Sequence, residues 1–320
     1  AMNGGGGGIF RSGNVSVTVW NSSFWSNTGL EGGGLYLVNG SSAFTNVSLI
    51  SNDGLEDGGG LIASEEESLV MKSCRLRGNS AGEAGGALHV SHGAQVQASG
   101  TMYSENVAYG SLVGGGALYA DTGSTVSCEG DLFESNRASQ GSGGGVYMNG
   151  LSELTCSSCL IQNNTAYSDG GGLYTVSWKM SFSNGSKFLN NIALNGDGGG
   201  IFSGSFTELA LSGIVFQENK ALGLNIGNGH HGCGGAIASV FSGVLRLESV
   251  DIRRNEATYG GGIYSPLDSD LVIVNSLLDS NVASVSGGGL YTNASISCKI
   301  YDSVFRNNSA LSANGGGAYL

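Results

Sequence analysis

The chain has 320 residues, of which 58 are Gly, 1 is Pro and 6 are Cys, and its formal net charge is −12. Charged residues make up 12%, against about 25% in an average protein, so there is no basic stripe to bind nucleic acid, and an anionic membrane surface is an equally poor partner. Collagen is excluded because Gly has no period of three and Pro is almost absent, and disorder is disfavoured by 40% hydrophobic residues in regular spacing. No apolar run approaches the ~18 residues of a membrane span. The opening AMNGGGGG lacks the basic and apolar regions of a signal peptide. Abundant Ser, Thr, Asn and Gly with few Lys and Glu points to a secreted or cell-surface protein.

From the N-terminus, the first element is a glycine corner followed by Ile9 and Phe10. Val17 and Val19 come next, two apart, which is a strand pattern. An apolar anchor then opens the string Phe24-x-x-Asn27. The same three elements recur to the end of the chain. The corner aliphatics are Ile9, Leu35, Leu61, Leu88, Leu118, Val146, Leu173, Ile201, Ile237, Ile263, Leu290 and Ala318, spaced by 26 to 36 residues. The anchors after Phe24 are Leu49, Leu76, Tyr103, Phe133, Ile161, Phe188, Phe216, Ile252, Leu278 and Phe305. Three residues after each anchor stands an Asn: Asn27, Asn52, Asn79, Asn106, Asn136, Asn164, Asn191, Asn219, Asn255, Asn281 and Asn308. Ala follows two residues later in nine of the eleven cases, and Gly in the other two.

Each repeat thus predicts three short strands separated by Gly, Asn and Ser turns, with no room for a helix. A single repeat has too little apolar surface to fold alone. Stacked in parallel, about 4.8 Å apart, like residues fall on like residues. The expected fold is all-β: a right-handed parallel β-helix of about 11–12 coils, roughly 55 Å long. The eleven Asn are expected to form a ladder of side-chain amides along one turn. Residues 1–320 form one solenoid whose longest loop insertion is 223–235. Neither end carries a polar cap, so the chain is expected to be a piece of a longer protein, with further copies of itself or flanking domains as partners through the rod ends.

This alternation resembles the chlamydial polymorphic membrane proteins, whose repeats take the forms GGA-[ILV] and FxxN. GGAL at Gly85–Leu88, GGGALY at Gly114–Tyr119 and CGGAI at Cys233–Ile237 carry the first form. FESNRA at Phe133–Ala138 and FQENKA at Phe216–Ala221 carry the second. The resemblance implies a parallel β-helix surface protein, and its named members are autotransported adhesins with a C-terminal membrane barrel. No barrel segment is evident in this chain.

Several further features depart from the plain repeat or decorate it. After the corner aliphatic the next residue is aromatic in nine of twelve coils: Phe10, Tyr36, Tyr119, Tyr147, Tyr174, Phe202, Tyr264, Tyr291 and Tyr319. Strand alternation turns these outward. They are expected to form an exposed stripe, either a self-stabilising stack or a docking face for carbohydrate, a neighbouring rod or a surface protein. Acids precede the corner in two neighbouring pairs, Glu31/Asp57 and Asp169/Asp197, a weak cation pattern. Cys128 and Cys156 share a register, so they are either buried thiols or a disulfide; Cys156-x-x-Cys159 has no second pair to make a zinc site. The 223–235 loop holds His230, His231 and Cys233, a further weak metal pattern that a surface loop with chance His residues explains as well. Eight Asn-x-Ser/Thr triplets, at Asn14, Asn21, Asn39, Asn46, Asn163, Asn184, Asn293 and Asn307, are N-glycosylation candidates.

The sequence therefore supports two functions. The first is a non-catalytic extracellular segment of a fibre, stalk or scaffold. The second is an adhesin-type module that grips glycans or a host or partner protein. A polysaccharide lyase is a distant third, since it would need acids and a base clustered off the repeat pattern. No catalytic residue, metal or cofactor is assigned.

Overall fold

A computed structural model describes residues 5–204, 207–224, 232–240, 243–266, 270–293 and 297–320. Among them no helix forms, and every regular element is a strand. The strands build four parallel sheets, one of twelve strands and three of eleven, each adding one strand per coil in chain order. The coil beginning at Leu118 shows the plan. Leu118–Ala120 joins the first sheet, Thr125–Glu129 the second, Leu132–Glu134 the third and Arg137–Ala138 the fourth. Three of these match the expected strands. The fourth is a short strand, two residues long in most coils, that starts one residue after each ladder Asn and includes the Ala or Gly that follows. Its inward residue, such as Ala138 or Ala166, is fully buried, so only a methyl group or Gly fits there.

The register is the one the repeat implies. Leu118 pairs with Val146 and Val146 with Leu173 on the first sheet. Tyr103 pairs with Phe133 and Phe133 with Ile161 on the third. On the second sheet Val126 and Cys128 point inward while Thr125, Ser127 and Glu129 face solvent. The inward side chains of three sheets merge into one apolar core running from Leu35 to Leu290. Parallel strands one coil apart are stabilised by this continuous burial, because no hairpin turn holds them together.

The corner glycines answer two different constraints. Gly143 has φ of +69° and its counterparts in the other eleven coils are also left-handed, a conformation that penalises a Cβ. Gly144 has an ordinary φ, but a Cβ there would drive into the Gly171 carbonyl and the Thr165 backbone of the next coil. The third position is looser, and Ala occupies it at Ala87, Ala117 and Ala236. This accounts for the form GG-[GA].

Coil length varies almost entirely at one corner. From corner aliphatic to anchor the chain takes fifteen residues in ten of eleven coils, as from Leu118 to Phe133, and fourteen once, from Leu35 to Leu49. From ladder Asn to the next corner aliphatic it takes from eight (Asn27 to Leu35) to eighteen (Asn219 to Ile237). Insertions therefore enter only between the fourth and first sheets.

Candidate interaction surfaces

The ladder amides are held where the third sheet turns into the fourth. The residue before each is left-handed, as at Ser135, Asn163 and Asn190, which swings the ladder side chain into the rod. Asn164 is typical. Its Oδ1 accepts the backbone amide of Asn136 at 2.9 Å and Nδ2 of Asn136 at 3.0 Å. Its own Nδ2 donates to Oδ1 of Asn191 at 3.0 Å and to the carbonyl of Phe133 at 3.0 Å. Ten such amide–amide links join Asn27 to Asn308, all at 2.9–3.0 Å. Asn52 through Asn281 are almost wholly buried. A buried amide with two donors and two acceptor sites filled has no unmet desolvation cost. Asp, Ser or Gln cannot supply the same four bonds at this reach.

A second polar column, not anticipated from the sequence, lines the turn between the second and third sheets. It stands two residues before the anchor and is interrupted by the apolar Val47, Ile214 and Val250. Cys74 N–H donates to Thr101 Oγ1 at 3.4 Å, and Thr101 N–H to Asp131 Oδ1 at 2.6 Å. Cys159 N–H donates to Ser186 Oγ, Val250 N–H to Ser276 Oγ and Ser276 N–H to Ser303 Oγ, each at 3.1 Å. The preponderance of Ser, Thr, Cys and Asp at this offset was the available signal. Asp131 is the outlier: it is buried, and Oδ2 lacks a well-formed hydrogen bond. Burial raises its carboxyl to about 6 despite the Thr101 amide.

The aromatic stripe stands outward from the first sheet and stacks on itself. Ring centroids are 5.2 Å apart for Tyr119–Tyr147, 4.5 Å for Tyr147–Tyr174 and 5.0 Å for Tyr174–Phe202. Tyr264, Tyr291 and Tyr319 form a second run at 5.3 and 4.9 Å. Phe10 meets Tyr36 edge-on, and His89 meets Tyr119 edge-on. The expectation of an exposed stripe needs correction in mid-rod. Tyr119 and Tyr147 are only 5% and 6% exposed, because they pack on Ala84 and Val113 from the neighbouring corner and on Tyr174. Tyr36, Tyr174, Tyr264, Tyr291 and Tyr319 are half-buried, and Phe10 is exposed. Burial, with Glu31 nearby, lifts the Tyr36 phenol to about 12, and burial likewise raises Tyr119, Tyr147, Tyr174, Tyr264 and Tyr291.

Three of the four corner acids, Asp57, Asp169 and Asp197, bond backbone. Asp57 Oδ1 accepts Ala84 N–H at 3.0 Å and lies 3.5 Å from His89 Nδ1. Burial opposes its ionisation, yet the His89 imidazole and the Ala84 amide outweigh that and hold it below the ordinary carboxylate range. Asp169 accepts Asp197 N–H at 2.8 Å, and Asp197 accepts Cys233 N–H at 2.7 Å. These oxygens tie one coil to the next. Among the described residues no group of three His, Cys, Asp or Glu side chains is placed to hold a metal ion.

Cys128 and Cys156 are register partners. No disulfide joins the six cysteines; Cys74, Cys128, Cys156, Cys159 and Cys233 are buried and Cys298 is exposed. His230 and His231 lie outside the described residues. The eight triplet Asn are all exposed. Asn21, Asn39, Asn46, Asn163, Asn184 and Asn307 also have φ between 47° and 55°. Asn tolerates that conformation better than other side chains with a Cβ, so the turns alone account for much of the triplet excess. At 163–165 and 307–309 the triplet is a left-handed Asn, the ladder Asn and the first residue of the fourth-sheet strand.

The fold and its ladders define a parallel β-solenoid repeat protein. The Chlamydia polymorphic membrane protein (Chlamydia_PMP) repeat matches residues 158–176, the stretch that carries anchor Ile161, ladder Asn164 and the corner Gly170–Tyr174. No curated protein matches the chain, and no solved structure matches it. The repeat and the solenoid fit a surface protein of adhesin type. Among the described residues no helix is long and apolar enough to cross a membrane.

Proposed function

We propose that this chain is a non-catalytic structural rod displayed outside the cell, a segment of a surface stalk, fibre or scaffold. The observation that carries the reading is the unbroken amide ladder from Asn27 to Asn308. It couples eleven coils into one stiff element and shapes no cleft. The uncharged Ser/Thr-rich outer faces suit exposure to medium. The adhesin reading draws support from the polymorphic-membrane-protein repeat at 158–176, and a stalk and an adhesin are compatible in one rod. Immunogold labelling of intact cells with antibody to residues 1–320 tests the proposal. Label on projecting material of unpermeabilised cells is expected. Label that appears only after permeabilisation overturns it.

A further inference from the structure

We infer that the corner between the fourth and first sheets is a recognition edge of the rod, and that its groove beside Tyr109 binds a neutral oligosaccharide. The inference goes beyond the structural role above and does not depend on it.

Three observations converge on this edge. First, nearly all variation in coil length enters here, from eight to eighteen residues, while the rest of the coil departs from fifteen only once, by a single residue between Leu35 and Leu49. In solenoids, insertions collect on the face that meets a ligand, because the stacked core tolerates none elsewhere. Second, large apolar side chains are exposed along the same corner: Leu55, Tyr109, Leu112, Tyr167 and Leu311, with Leu112 at 89%. Third, the lengthened turn after Asn106 opens a cavity of about 290 Å³ lined by Glu83, Tyr109, Leu112, Val113 and Gln140. Its floor is tight backbone. A Cβ on Gly110 would meet the Glu83 carbonyl at 2.6 Å, and one on Gly141 would enter the Val113 carbonyl.

The lining selects the ligand class. Tyr109 offers a half-exposed ring face for the C–H side of a sugar. Glu83 and Gln140 are exposed planar groups that pair with vicinal hydroxyls, the carboxylate accepting and the amide doing both. No Lys or Arg lines the cavity, and the chain carries −12 overall, so phosphate and uronate ligands are repelled. A strand-adding peptide finds no free sheet edge here, because the ladders run from coil to coil along the rod. The volume sits at the lower end of small-molecule sites, about 300 Å³, which suits a short stretch of a sugar chain.

Isothermal titration of the purified chain tests this, using neutral hexose and N-acetylhexosamine oligomers, with polygalacturonate and heparin as anionic comparators. At least one neutral oligomer is expected to saturate the protein. Tyr109→Ala should then weaken it by about tenfold or more, and Gln140→Ala should weaken it as well. Tyr301→Ala removes a Tyr of equal exposure, 52%, from the second sheet and should leave binding unchanged. Thermal midpoints of the variants report whether the rod stays folded. The inference is overturned if no neutral oligomer binds at millimolar concentration, if only the anionic polymers bind, or if a folded Tyr109→Ala binds like the parent chain.

Discussion

Asn136 and Asn164, 28 residues apart in sequence, share one oxygen: Oδ1 of Asn164 accepts both the backbone N–H and the Nδ2–H of Asn136, at 2.9 and 3.0 Å. One side chain therefore closes a turn and joins two coils at once. Removing it strands groups on both sides. Asn191→Ala, deep in the same ladder, is expected to destabilise the rod by about 1–3 kcal/mol for the buried groups left unpaired. Asn191→Asp should cost more, since a carboxylate oxygen would face the Ile161 carbonyl that Nδ2 now meets at 2.9 Å. Chemical denaturation of both variants measures the difference; a midpoint unmoved by Asn191→Ala would contradict the ladder's contribution.

The glycine pair at the corner predicts an asymmetric scan. Gly144→Ala should prevent stacking with the next coil, with a loss of several kcal/mol from backbone overlap. Gly145→Ala should be far milder, because Ala already stands at the equivalent position in three coils. Gly130→Ala meets no neighbouring atom and carries only a left-handed φ of 64°, costing about 1–2 kcal/mol. Thermal melts should rank them in that order, with Gly144→Ala lowest.

Asp131 sets a pH dependence of unusual sign. Its folded pKa of about 6 lies above the ordinary Asp value of 3.8, so the folded state holds the proton more tightly than the unfolded chain. That contribution is fully present below about pH 4 and is lost as pH rises through about 6, by roughly 2–3 kcal/mol from this group. Asp131→Asn keeps an oxygen for the Thr101 amide and needs no charge. It should be more stable than the parent at pH 7 and flatten the stability profile between pH 4 and 6. An unchanged profile would show that Asp131 does not titrate there.

Tyr147 is predicted to act mainly in stability. It is buried between Tyr119 and Tyr174, so Tyr147→Ser should lower stability by about 2 kcal/mol or more. Half-buried Tyr291→Ser should have a smaller effect. Equal melts for the two variants would argue that the mid-rod rings are not packed as described.

Thiol chemistry separates the cysteines. In the native state only Cys298 should react rapidly with a disulfide reagent, and the five buried thiols should follow on unfolding. Cys298→Ala should abolish the fast phase. Two or more fast thiols would show that the core column at Cys128 and Cys156 is open.

Much of this architecture is legible in the sequence. A solenoid repeats its sequence because each residue type must fill the same place in every coil. Ile161 and Phe188, Asn164 and Asn191, and Leu173 and Ile201 therefore announced their own stacking. The constant offset from Asn to Ala carried a fourth strand that the period-two pattern could not reveal, since a two-residue strand shows no alternation. The corner at which length varies was also present in the spacings, although only the sheets show which side of the rod it occupies.

The core, the register and the amide ladder are all read from the repeat, because they follow from like residues stacked at one spacing. What covers what depends on how the coils pack. Strand alternation turns Tyr119 and Tyr147 outward, but a corner from adjoining coils folds Ala84 and Val113 against them. Likewise Asp57, Asp169 and Asp197 become caps for backbone amides of the next coil. The groove beside Tyr109 exists because one lengthened turn stands next to shorter ones. Such contacts join side chains to loops whose paths no repeat specifies, and they depend on distances that one-dimensional spacing does not contain.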